Sequence, residues 1–147
     1  MQGFPPKTLK GRVCFTQFYD DFQREYTVQR KANHEWGHRV LCETAYERFV
    51  KYRQTHVGHY FRTLFNIIKF IATSDVGNKR IYINLARAQL SSSELNLLFY
   101  NCLSKYGNEK FKPFVEQFGL LENMTIEDLI EQQHRELYKE SAFKSQL

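Results

Sequence analysis

Five consecutive residues, His34, Glu35, Trp36, Gly37 and His38, satisfy the pattern H-E-x-x-H. On a helix, two histidines four apart share a face and can hold one zinc ion, while the glutamate between them polarises a bound water for hydrolysis. The surroundings weigh against this chemistry. Arg39 follows the second histidine, Gly37 weakens a helix, and Arg30 and Lys31 stand where a buried metal helix wants apolar support. A third ligand would have to come from His56, His59 or a glutamate downstream. The expectation is no metal and no cofactor, the segment being the polar start of a helix near Asn33. A zinc hydrolase, with His34 and His38 as ligands and Glu35 as base, stands as an alternative.

A second set of chemistry-bearing residues begins at Arg53 and His59, which have five residues between them. That spacing resembles the R-x(4–6)-H signature of HEPN-type ribonucleases. The resemblance implies His59 as acid or base on an RNA 2′-hydroxyl and arginine on the phosphate. Arg62 lies one helical turn from both His59 and Asn66, within reach of the same anion or the same carboxylate. Two readings remain open here: a metal-independent ribonuclease using His59 with Arg53 or Arg62, and a polar stripe bonded to neighbouring helix ends.

The elements that must hold these residues are helical. The stretch from His56 to Ile71, wound at 3.6 residues per turn, puts Val57, Tyr60, Phe61, Leu64, Ile67, Ile68 and Ile71 on one broad face. So wide an apolar face predicts the central helix of a bundle, with His59, Arg62, Asn66 and Lys69 on its polar side. Ahead of it, Phe15, Phe18, Tyr19, Phe22 and Tyr26 predict a helix from Val13 to about Gln29. A second is predicted from about Asn33 to Arg53, with Leu41, Cys42, Ala45, Phe49 and Tyr52 inward. Only Gly58 interrupts the pattern between the second and central helices, so the two can also be one long helix. After the turn TSDVGNK comes a short helix with Ile81, Leu85 and Ala88 on one side. Ser91 to Glu94 fits a capping box ahead of a helix ending at Gly107. KFKPFVEQF makes a short piece stopping at Gly119, and Thr125 is expected to cap an acidic, surface-facing helix through IEDLIEQQHRELYKE.

The fold class expected from this pattern is an all-α, single-domain bundle of about five to seven helices over residues 13–147, preceded by a flexible arm, residues 1–12. With 147 residues and 42% hydrophobic content the chain can build its own core, which excludes a disordered protein. No apolar run is long enough to cross a bilayer and no export signal is recognisable, so a cytoplasmic protein is expected. Three isolated cysteines, Cys14, Cys42 and Cys102, suit reduced buried thiols. The aromatic side chains Phe15, Phe18, Phe22, Phe49, Phe61 and Phe99 are expected in the core rather than stacked on bases. Of the net charge of +5, residues 1–60 hold ten cations against six acids, and 61–90 hold five against one. Residues 91–147 hold six against nine. The basic first ninety residues fit either an ordinary solvated surface or an anionic partner such as RNA.

Several ordered blocks carry a family resemblance: GHYFRTLFNIIKFI, then YINLARAQLSSSELNLLFYNCLSKYG, then KPFVEQFGLLENM. Over about Tyr46 to Met124 the chain resembles the bacterial phage abortive-infection family of AbiC type. The resemblance implies a role in defence against phage, as an effector or interaction module. Longer family members often carry membrane-spanning helices ahead of this domain, whereas this chain is expected to begin with a soluble arm. Residues matching the family blocks are Tyr60, Arg62, Asn66, Arg87, Gln89, Ser91 and Asn101, the candidate binding residues. If the helix of Arg87 and Gln89 packs beside the central one, Arg62, Asn66, Arg87 and Gln89 converge on a polar site, with Ser91 at the next helix's N-terminus. A buried network that fixes helix packing is the equal alternative. Analogy with HEPN proteins adds a possible homodimer.

Overall fold

The computed structural model describes residues 13–144. The expected N-terminal arm therefore lies outside the described residues. Among the described residues there are six α-helices and three short 3-10 helices and no strand. The helices are α1 (Val13–Ala32), α2 (His38–Tyr52), α3 (Val57–Thr73), α4 (Lys79–Ala88), α5 (Ser92–Asn101) and α6 (Lys112–Phe118). The 3-10 helices span Ile126–Asp128, Gln132–Leu137 and Glu140–Phe143. No described helix is long and apolar enough to cross a membrane.

Helix α5 occupies the centre. Every residue from Glu94 to Asn101 is buried, so the helix is enclosed on all sides. The predicted capping box starts it: Ser91 Oγ accepts from the Glu94 N–H at 3.2 Å, and the Glu94 carboxylate accepts from the Ser91 N–H at 2.5 Å. Helices α1 and α2 form an antiparallel pair packed across α5. Phe15, Phe22, Phe49, Phe61 and Phe99 are all buried as expected, and Phe18 is half-buried. Edge-to-face contacts of Phe22 with Tyr46 and Phe49, at 5.6 and 5.8 Å, give the core its aromatic character. Cys42 and Cys102 are buried, and burial pushes both thiols up.

Helix α3, expected at the centre, is peripheral. Val57, Phe61, Leu64, Ile68 and Ile71 form its buried stripe, but Ile67 is 47% exposed and Phe70 71% exposed. The uniform enclosure that its broad apolar face seemed to require is instead met by α5. The same reversal holds on α4. Ile81 and Leu85 face outward, and the buried positions are Ile83 and Arg87. The cause is the Arg87 guanidinium, which donates to the Gly119 carbonyl at 3.2 Å and to Asn84 at 2.6 Å and pairs with Glu122 at 2.8 Å.

Boundaries also moved. Asn33 ends α1, its N–H and side-chain amide both donating to the Gln29 carbonyl, and Gly37 precedes α2. Tyr52, expected inward, is exposed beneath Arg48 and Lys51. Helices α2 and α3 are separate, but Gly58 lies inside α3; the chain breaks at 53–56, where Arg53 and Gln54 reach back to Glu25 and Asp21 on α1. Helix α5 ends at Asn101, and Gly107 sits in the turns that follow. An added Cβ there would lie 2.8 Å from Asn101 Oδ1 and 3.1 Å from its carbonyl oxygen, so only glycine fits this approach. Gly119 ends α6 in the left-handed region at φ 61°.

The largest departure is C-terminal. The single helix expected after Thr125 is replaced by three 3-10 pieces that bury Leu129, His134, Tyr138 and Ala142. Its backbone groups find partners elsewhere in the fold instead of along an α-helical ladder. The Ile130 N–H donates to Tyr100 Oη at 3.0 Å and the Lys139 N–H to Glu116 at 2.8 Å, and Lys112 Nζ donates to the Leu137 carbonyl at 2.8 Å. Once tertiary contacts satisfy those groups, helix formation there has nothing left to add.

Candidate functional site

Helix α3 is the element on which most of the sequence-derived residues sit, and it divides them between two surfaces. Residues 60, 64, 67 and 71 share one face by helical spacing, and 58, 61, 62 and 65 share the opposite one. The first face borders an open groove of about 1020 Å³ between α3 and α4. His59, Tyr60, Leu64, Ile67, Phe70, Tyr82 and Leu85 line it, with Gln89 and Glu94 at one end. Phe70 is 71% exposed and Leu85 57% exposed, an apolar load that soluble surfaces ordinarily hide. Glu94 ties this groove to the centre of the fold: while one carboxylate oxygen caps α5, the other accepts from Tyr60 Oη at 2.7 Å.

The opposite face of α3 borders a smaller and more enclosed pocket of about 330 Å³. Arg62 and Asn66 line it from α3, Asn101 from the end of α5, and Tyr106 and Lys110 from the turns before α6. The structure thus brings Arg62, Asn66 and Asn101 to one place. It holds Arg87 apart, on Gly119 and Glu122, and Gln89 at the groove. Ser91 serves as the α5 cap. Arg53 is also elsewhere: with Arg48 it meets Glu25, at 3.3 and 3.0 Å. Burial alone would raise the Glu25 pKa, but hydrogen bonds from Gln29, Arg48 and Arg53 bring it below the usual carboxylate value. Arg53, His59 and Arg62 therefore lie in three different surroundings.

The H-E-x-x-H segment does not form one helix. His34 and Glu35 lie exposed in the turn after α1, with His34 Nδ1 3.2 Å from the Lys31 carbonyl, and only His38 belongs to α2. His38 instead meets two residues that spacing did not single out. Its Nδ1 is 2.8 Å from Glu131 Oε2, and His134 Nε2 is 3.5 Å from the same oxygen. One donor atom from each of the three falls within 4.8 Å of the others, a grouping with the right atoms for a cation.

Hydrogen-bond accounting assigns this cluster a different role. Tyr100 Oη accepts from the Ile130 N–H and lies 2.8 Å from His134 Nδ1. His134 Nε2 lies 3.1 Å from Tyr26 Oη, and Tyr26 donates on to Glu131 at 3.4 Å. Both ring nitrogens of His134 thus have protein partners, and Arg30 pairs with Glu131. The cluster is a hydrogen-bonded latch holding the C-terminal segment to α1, α2 and α5. Burial, with His38 and Arg30 nearby, holds the His134 pKa down at about 4. A lone histidine in a polar, acidic segment carried no spacing signal, and its partners beyond that segment come from three different helices.

Comparison with known proteins bears on the α3 to α6 region. A family model described as putative phage abortive infection protein matches residues 52–129, which span both surfaces of α3. Among curated proteins and among solved structures nothing matches this chain.

Proposed function

Because the chain belongs to the phage abortive infection family, we propose that it acts in phage defence as an interaction module whose α3–α4 groove docks the apolar face of an amphipathic helix of a protein partner. The observation that carries this reading is the exposed apolar lining of the groove, inside the family-matched stretch. Ile67, Phe70, Tyr82 and Leu85 are all solvent-exposed yet line one concavity. Each such side chain gains about 1.5–3 kcal/mol on full burial. A concave cleft between two helices favours an inserted helix, read through anchors at i, i+3 or i+4 and i+7, over a flat membrane face.

The test is protection of cells against phage. Phe70→Asp with Leu85→Asp should keep the unfolding midpoint of the wild type, since both side chains are exposed, and should abolish protection. Full protection by the Phe70→Asp, Leu85→Asp variant at equal expression would defeat the reading.

A further inference from the structure

The smaller pocket on the opposite face of α3 has a lining of a different character. Two cations line it, Arg62 and Lys110, and neither meets a carboxylate or hydrogen-bond partner among the described residues. Most other described arginines pair with acids, as Arg48 and Arg53 do with Glu25 and Arg87 with Glu122, Arg80 being the exception. No acidic residue lines this pocket. Two exposed cations bordering one concavity with no acid between them favour an anion there; the planar guanidinium fork matches phosphate oxygens in pairs, with the ammonium as a point charge. The remaining lining is of another character. Half-buried Phe65 gives an aromatic wall, backed by buried Phe111 with the ring centroids 5.5 Å apart. Asn66 supplies a free carboxamide, while Asn101 gives its amide to Tyr46 Oη at 2.9 Å and keeps its oxygen as an acceptor. Aromatic faces stack on bases, and carboxamides match the donor and acceptor pattern of base edges.

We infer that this pocket binds a nucleoside monophosphate, with its phosphate between Arg62 and Lys110 and its base against Phe65. Size supports a ligand of this class. A volume of about 330 Å³ lies at the lower end of small-molecule sites, roughly 300–1,000 Å³, too small for a dinucleotide or a protein segment. This inference is independent of the helix-docking role of the groove.

Gly58 supplies a clean test. It lies at the pocket within α3, and a Cβ built on it meets no heavy atom within 4 Å. A leucine there fills the pocket, and because glycine is a poor helix residue the exchange does not lower helix stability. The experiment is calorimetric titration of the full chain with AMP, GMP, CMP and UMP separately, then with inorganic phosphate. At least one nucleotide should bind at one per chain, at least about tenfold more tightly than phosphate, which lacks the stacked base. Arg62→Ala and Lys110→Ala should each weaken it by about tenfold or more, as loss of a charge-assisted bond does. Gly58→Leu should abolish binding with its unfolding midpoint retained. Phe70→Asp should bind as wild type does, which separates this site from the groove. The inference is overturned if no nucleotide binds, if phosphate binds as tightly as the nucleotides, or if binding survives in folded Gly58→Leu.

Discussion

Acidification should loosen the C-terminal segment, through one residue. His134 is fully buried and faces Tyr26 and Arg30 from α1, His38 from α2, Tyr100 from α5, and Glu131 on its own segment. Its folded-state pKa of about 4 lies below the usual 6.5 of an unfolded chain, so between these values the unfolded state binds the extra proton. The stabilisation is whole above pH 6.5 and is lost as pH falls towards 4. Lowering the pH from 7 to 5 removes about 2 kcal/mol by this linkage, and full titration about 3 kcal/mol. Against a domain stability of about 5–15 kcal/mol this is a large fraction. Urea unfolding at pH 7 and pH 5 reads it directly, with the midpoint moving down by about 1 M at ordinary urea sensitivities. His134→Gln keeps a donor and an acceptor but cannot titrate. Its midpoint should therefore move less between the two pH values than that of the wild type, whatever its stability at pH 7. An equal pH dependence in the two proteins, or a histidine resonance of His134 titrating near 6.5, would refute the reasoning.

Two further predictions concern local geometry. Gly107→Ala places a Cβ 2.8 Å from Asn101 Oδ1 and against backbone, so it should cost about 1–3 kcal/mol in chemical denaturation. A loss below about half a kilocalorie would mean that the turn yields easily. Ser91→Ala removes the acceptor for the Glu94 N–H at the start of the central helix and should cost about 1 kcal/mol, whereas Ser91→Asp should restore most of it.

Helix positions carried by strong periodicity were legible from the chain alone. The aromatic stripe of α1 and the capping box of α5 both mark elements that the structure contains, as does the glycine stop of α6. Burial order was less legible. The apolar face of α3 promised a central helix because periodicity measures how much apolar surface a helix has, and does not say whether the rest of the fold covers it. The segment after Thr125 illustrates the complementary limit, since its helical pattern gave way to side chains 25 to 30 positions away that satisfied its backbone. The candidate site divides in the same manner. Arg62, Asn66 and Asn101 were singled out and do line one pocket, but Lys110 sits in turns with no period to mark it. His134 is buried and hydrogen-bonded on both ring nitrogens, yet its partners Tyr26 and Tyr100 lie 108 and 34 positions away.

The contacts between α1 and the C-terminal segment also set the order of events during synthesis. Tyr19 reaches the Asp128 carbonyl across 109 positions, and Tyr26 reaches Glu131 across 105. As the chain leaves the ribosome at about 5–20 residues per second, the first helix emerges several seconds before its covering segment. Throughout that interval α1 can pair with α2 and α5, but the side of it that carries Tyr19 and Tyr26 has no lid. The nascent domain thus shows an aromatic surface until the segment that covers it is made.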